Sequence, residues 1–231
     1  MQIEHQPAYI LHTRPYRDTS MLVDFLTPQF GRLTAVARGV RARKTQKRNL
    51  LNPFTRLLIS FQGKTDLKLL TSFEAETPHF TLMAKHLYSG FYLNELLVRL
   101  LPEMDAHDDI FYLYQQSLQS LHEQQDLEPV LRHFELCLLA SLGYAIHFDV
   151  DASNGLPIAA EKFYCLDHES GFFLADISTP IHYQFCGQHI LAIANQDYKQ
   201  LEVRQAAKRI TRFLLNPLLG TKPLTSRELF T

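Results

Sequence analysis

Arg41, Arg43, Lys44, Lys47 and Arg48 put five cations into eight consecutive residues. A loop of that charge density can follow a phosphate backbone, because every ammonium or guanidinium offers three or more donors to phosphate oxygens. The run sits inside a longer stretch, 25–65, that has no Asp or Glu and also carries Arg32, Arg38, Arg56 and Lys64. A short charge run is usually a solvated face; 41 residues without one acid are harder to read that way. DNA contact is therefore expected at Arg32, Arg38, Arg41, Arg43, Lys44, Lys47, Arg48 and Arg56. Phe54, Phe61 and Phe73 flank the loop and would stack on bases if they faced outward. The alternative is that they fill a barrel interior, the better reading for Phe54 and Phe73.

Other chemistries find less support. His147, Asp149 and Asp151 would share one side of a strand, and Asp105, His107, Asp108 and Asp109 form a second cluster. Neither follows a metal-binding spacing such as His-Glu-x-x-His. The second reads more simply as a loop leading into a helix N-terminus, where acids are favoured. The three cysteines, Cys137, Cys165 and Cys186, contain no C-x-x-C pair, so the usual signature of a structural zinc is missing. Neither a G-x-S-x-G elbow nor a phosphate-cradling G-x-x-x-x-G-K-[ST] loop occurs. A metal-dependent nuclease built on the His147 or Asp105 cluster stands as the rival from another class. An RNA-binding barrel is the rival within the binding class. No cofactor and no enzymatic turnover are expected.

The elements that must carry these residues change type near residue 76. Up to there the chain reads as five short strands, at 8–11, 21–26, 32–38, 55–61 and 66–73, with a break at Arg14-Pro15 and turns at 27–31 and 62–64. Leu33, Ala35 and Ala37 alternate onto one face. Five strands in so short a span suit a small barrel, with the OB-fold the common case and an SH3-like barrel the alternative. Beyond Pro78 the apolar period becomes helical. The first helix is expected to place Phe80, Met83, Leu87, Phe91 and Leu97 inward and to end at Pro102. A second, 108–123, turns Phe111, Tyr114, Leu118 and Leu121 inward. A third opens at Pro129 and closes on Gly143. After an irregular or strand-like insertion at 149–178, helices are expected at 186–194 and 202–215. The last would line up Arg204, Lys208 and Arg212 four residues apart, opposite Val203, Ala207, Ile210 and Leu214. The fold class is thus α+β, with a barrel domain at 1–76 and a helical domain at 77–231.

The net charge of −1 conceals this segregation: 76–176 holds sixteen acids against four bases, and 177–231 seven bases against three acids. A surface so polarised suits a polyanionic partner for the N-terminal part. The odd cysteine count fits a reducing compartment. Residues 1–7 are polar with no apolar core behind them, and no apolar stretch is long enough to span a bilayer, so a cytoplasmic, nucleoid-associated protein without a membrane partner is expected.

An ordered set of segments resembles one family. They are 9–16 (YILHTRPY) with Thr19-Ser20, Gly31-Arg32, 37–41 (ARGVR), Pro53-Phe54, 87–97 (LYSGFYLNELL), 131–136 (LRHFEL), Leu142-Gly143-Tyr144, 206–209 (AAKR) and 222–229 (KPLTSREL). Together they are similar to the bacterial recombination mediator family RecO in its gammaproteobacterial form. The resemblance implies an N-terminal OB-fold, a helical C-terminal domain and no turnover. It implies binding of single- and double-stranded DNA, annealing of strands coated with single-strand-binding protein, and action with RecR in loading RecA. It also implies that the acidic C-terminal tail of single-strand-binding protein docks on the helical domain. Arg132 is the first candidate for that contact, with Arg204, Lys208 and Arg212 second; an ion pair of Arg132 with Glu128 or Glu135 is the competing role. Many relatives carry two C-x-x-C pairs after the Leu-Gly-Tyr segment and bind zinc. Here 149–154 replaces them, so no zinc is expected.

Overall fold

The computed structural model describes residues 2–42, 47–77 and 80–230, without the side chains of Lys47, Arg48, Arg227 and Phe230. Five strands close into a barrel: β1 (Gln2–Tyr16), β2 (Ser20–Thr27), β3 (Gly31–Ala37), β4 (Arg56–Gln62) and β5 (Lys68–Ala75). Their order, β1-β2-β3-β5-β4 with β1 returning to β4, is that of an OB-fold. All pairings are antiparallel except β3 with β5, where Ala35, Val36 and Ala37 face Lys68, Leu69 and Leu70. Alternation along each strand aims Ile10, Val23, Phe25, Leu33, Ala35, Leu57, Ile59 and Phe61 into the interior, all essentially inaccessible. Closure leaves no unpaired strand edge.

The first strand differs from expectation. It runs unbroken through Pro15 because the loss of one donor there, a residue from the hairpin turn, costs only a terminal ladder bond. Its first half pairs with β4 and its second with β2, with a register shift on each side that lets one strand serve both neighbours.

Two compact units make up the chain: Met1–Gln125 with Pro223–Thr231, and Asp126–Lys222. The barrel itself ends with β5, near the expected boundary at residue 76. The compact unit that contains it goes on through α1 (Ala84–Leu100) and α2 (Asp108–His122). Helix α2 buries Phe111, Tyr114, Leu118 and Leu121 as its period predicts. Helix α1 follows expectation in part, burying Leu97. Phe80 and Met83 precede it, in a stretch where His122 Nδ1 meets Thr81 as acceptor from its N or as donor to its O, according to the tautomer. Leu87 and Phe91 are only partly buried, and its buried positions are His86, Ser89, Gly90, Tyr92, Leu93, Asn94, Leu96 and Leu97. Small residues are needed there: a Cβ on Gly90 would lie 2.6 Å from Leu82 Cδ1 and 2.9 Å from Phe54 Cε1. Asn94 Nδ2 donates to Leu11 O at 2.7 Å, and Tyr114 Oη donates to Asn94 Oδ1 at 2.5 Å.

The second unit contains α3 (Leu127–Ser141), α4 (Gly187–Ala194) and α5 (Leu201–Leu219). Asp126 caps α3 by accepting from Glu128 N, and Gly143, with φ +86°, follows its end in the left-handed region. The expected insertion is a three-stranded sheet, β7 (Gly171–Leu174), β6 (Phe163–Asp167) and β8 (Phe185–Cys186) in that order. It reaches past residue 178 because Phe163 and Tyr164 pair with Cys186 and Phe185. Val203, Ala207, Ile210 and Leu214 are all on the buried face of α5.

Candidate nucleic-acid interface

Barrel topology brings two turns to the same end of the barrel as the start of the basic loop. The β1–β2 turn, 17–19, and the β4–β5 turn, 63–67, flank the end of β3, and a groove of about 620 Å³ lies among them. Arg17, Arg38, Lys64 and Lys68 line it with Tyr16, Gln2, Val36, Leu67 and Leu69; no Asp or Glu is among the described residues lining it, although exposed Asp18 and Asp66 stand in the two flanking turns. Arg17, Arg38 and Lys64 are exposed, whereas Lys68 is buried with Nζ donating to Thr65 O at 2.6 Å. Arg41, also exposed, pins the start of the loop to the β1–β2 turn: its N donates to Thr19 O at 2.9 Å and Nη1 to Arg17 O at 3.2 Å. Cations from three separate chain segments therefore converge, on the side of an OB barrel whose β1–β2 and β4–β5 loops commonly hold oligonucleotides.

Of the expected DNA contacts, Arg38 and Arg41 are at this end and solvent-facing. Arg43 and Lys44 lie outside the described residues, as do the side chains of Lys47 and Arg48. Arg32 and Arg56 have internal partners instead. Arg32 donates through Nε to Leu101 O and through Nη1 to Glu103, both at 2.9 Å, and is only 15% exposed. Arg56 pairs with Glu76 at 3.1 Å, donates to Gln115 Oε1 at 2.7 Å and lies over the rings of Tyr9 and Phe111. Both join the barrel to the polypeptide that follows it, and an acid already balances each charge. Phe61 is wholly interior; Phe54 packs on Phe91; Phe73 packs against the barrel core. The residues not anticipated are Tyr16, Arg17, Lys64 and Lys68. Their signal was position: each adjoins a turn at one end of a predicted barrel, although 47 residues separate Arg17 from Lys64.

In the second unit, Arg132 is a staple. Its Nη1 lies 2.9 Å from Glu135 and donates to Thr211 Oγ1 on α5 at 2.8 Å, Nε lies 3.6 Å from Glu128, and the side chain is 5% exposed. Arg204 pairs with Asp126 at 2.6 Å and Lys208 with Glu128 at 3.8 Å. Arg212 is exposed and has no ion pair among the described residues. It borders an apolar pocket of about 450 Å³ formed by Leu166, Tyr183, Phe185 and Phe213. Arg209 joins it there, its guanidinium 4.5 Å from the Phe185 ring and hydrogen-bonded to His182 O.

The acid clusters serve the backbone. Asp151 is buried and accepts from Ser153 N, Ser153 Oγ and Asn154 Nδ2, which closes a turn, while His147 and Asp149 are exposed and 4.0 Å apart. Asp108 Oδ1 accepts from Asp109 N at the start of α2. Among the described residues no three His, Cys, Asp or Glu side chains converge as metal ligands, and no helix is long and apolar enough to cross a membrane.

Comparison with known proteins covers nearly the whole chain. Residues 1–79 match the family model for the N-terminal part of recombination protein O, and 84–228 match that for its C-terminal part. The chain is 52% identical to the DNA repair protein RecO of Cellvibrio japonicus, over 100% of this chain and 98% of that protein. It is 42% identical to the DNA repair protein RecO of Haemophilus influenzae strain Rd, over 100% and 97%. The namesake from Pseudoalteromonas atlantica is 43% identical over 100% and 95%.

Proposed function

The chain belongs to the recombination protein O family, and on that premise we propose that it is a recombination mediator in DNA repair, a binding protein that makes and breaks no covalent bond. It binds single- and double-stranded DNA, anneals complementary strands coated with single-strand-binding protein, and with RecR promotes loading of RecA in the cytoplasm. The observation that carries this reading is the cation-lined groove at one end of the barrel, to which Arg41, the first cation of the basic run, is fastened. Two strands repel each other through their phosphates. A surface that releases their counterions lowers that repulsion and holds the strands close while bases pair.

Recruitment belongs to α5. The tail of single-strand-binding protein is acidic, and it suits a cation that is not already paired beside an apolar pocket. Arg212, next to Phe213 and Tyr183, meets that need, whereas Arg132, Arg204 and Lys208 are bound to acids of their own chain.

A salt titration of single-strand binding tests the DNA reading. Each phosphate contact contributes about 0.7 to the log–log slope, so changing Arg41, Arg43, Lys44, Lys47 and Arg48 together to Ala should flatten it by about 3.5. Changing Arg38, Arg41 and Lys64 should flatten it by about 2. Unaltered affinity and slope in both variants would overturn the assignment. For recruitment, Arg212→Ala should abolish stimulation of annealing by the acidic tail and leave annealing of naked strands unchanged.

A further inference from the structure

Phosphate contacts alone do not distinguish a single strand from a duplex, but the groove holds more than cations. Tyr16, half-buried at the end of β1, is the one aromatic among the described residues lining it. Leu67, 40% exposed, and the partly buried Leu69 continue the apolar surface on the other side. The Arg17 guanidinium lies 5.2 Å from the Tyr16 ring centroid, a cation–π distance. Arg17 holds that place with φ +50°, in the left-handed region that disfavours side chains and that glycine adopts freely. Strain of this kind persists where neighbouring structure over-determines it and clusters at ligand-binding positions. Here Arg17 O accepts from Arg41 Nη1, and Thr19 O accepts from Arg41 N, so the turn is fastened from the loop side.

We propose that Tyr16, backed by Arg17, is a base-stacking platform that gives this groove its preference for single strands. The inference rests on the DNA-binding reading above and adds a contact that a duplex cannot make. In paired DNA the base faces are already stacked on one another. An unpaired strand can turn a base onto Tyr16 and the leucines while its phosphates reach Arg38 and Lys64. The ring face carries no sequence information, so the contact is tolerant of sequence.

The test compares three fluorescent probes of equal length: an oligothymidylate, an abasic single strand and a duplex. Stacking on one base is worth about 1–3 kcal/mol, so Tyr16→Ala should weaken oligothymidylate binding about 5- to 150-fold. Binding of the abasic strand and the duplex should stay within twofold, the salt slope should not change, and Tyr16→Phe should restore affinity. Arg17→Gly should raise the melting temperature by relieving the strained turn and yet weaken oligothymidylate binding. A Tyr16→Ala variant that binds all three probes as the parent does, while Arg38, Arg41 and Lys64 variants lose affinity, overturns the stacking platform and leaves the DNA reading standing. Equal losses on all three probes overturn it too, since they would reflect damage to the groove. If neither Tyr16 nor the cations matter, both fall together.

Discussion

Arg132 has Glu135 three residues ahead and Glu128 four behind, spacings at which helical side chains meet. A cation so placed can anchor a partner's acid or serve its own helix, and the sequence displays both options equally. What decides is Thr211, on another helix 79 positions away, which accepts the Arg132 guanidinium and keeps it from solvent. Arg132→Ala would take the guanidinium away from Glu135, which is 1% exposed. Removing one partner of a buried pair costs about 3–5 kcal/mol, a loss to be read as a fall in the urea midpoint. Arg212→Ala should leave that midpoint unchanged, since Arg212 is exposed, and should weaken only the tail peptide. Arg32 and Arg56 teach the same lesson within the first unit. The absence of acids over 25–65 is real, but their acids, Glu103 and Glu76, come from beyond it. Charge along a chain is legible in sequence; charge pairing across it is not.

Strands and helices were legible to the degree that their period reported burial. Strand β3 declares itself by alternation, the other barrel strands as short runs between turns, and α2 by four large residues on one stripe. Helix α1 shows part of its face in Tyr92, Leu93, Leu96 and Leu97 and hides the rest, because close approach selects Gly90 and Ser89 and a buried polar contact selects Asn94, none of which scores as apolar. Asn94→Ala should cost about 1–3 kcal/mol, because it removes the donor to Leu11 O and the acceptor for Tyr114 at once. Gly31 is the other hidden constraint. It stands at φ +58°, and a Cβ there would lie 1.6 Å from Asp105 O. Gly31→Ala therefore combines backbone strain with a clash against main chain. It should lower the denaturation midpoint of the first unit by more than Asn94→Ala does, a comparison that guanidinium titrations of the two variants would settle.

Across the molecule, both units hold phenols that resist ionisation. Burial pushes the Tyr9 hydroxyl up to about 12, against the pull of the Arg56 guanidinium, and raises Tyr114 well above the ordinary range. In the second unit burial raises Tyr198 to about 12. A phenol whose folded pKa exceeds its unfolded value of about 10 contributes stability that is complete below pH 10 and is lost as pH rises toward 12. Thermal melts should therefore be flat from pH 8 to 10 and fall steeply above it. Tyr9→Phe should shift the onset of that fall for the first unit if its phenolate is the cause. The basic-then-acidic charge pattern announced a binding half and a different second half, but it did not announce how the chain is shared between them. Residues 223–230 return to the first unit, where Glu95 accepts from Thr225 N, Thr225 Oγ1 and Ser226 N and Leu224 is buried. On a ribosome, where chains fold from the N-terminus onward, the barrel and α1 emerge first but wait for some hundred further residues before their last piece arrives. A nascent chain halted anywhere in the second unit would expose the seat of Leu224 and leave the Glu95 carboxylate without those three donors. Deletion of 223–231 should reproduce that state in the finished protein, with faster proteolysis of the first unit and an unaltered second unit. The segment thus closes the first unit from across 97 intervening residues, with Glu95 as its anchor.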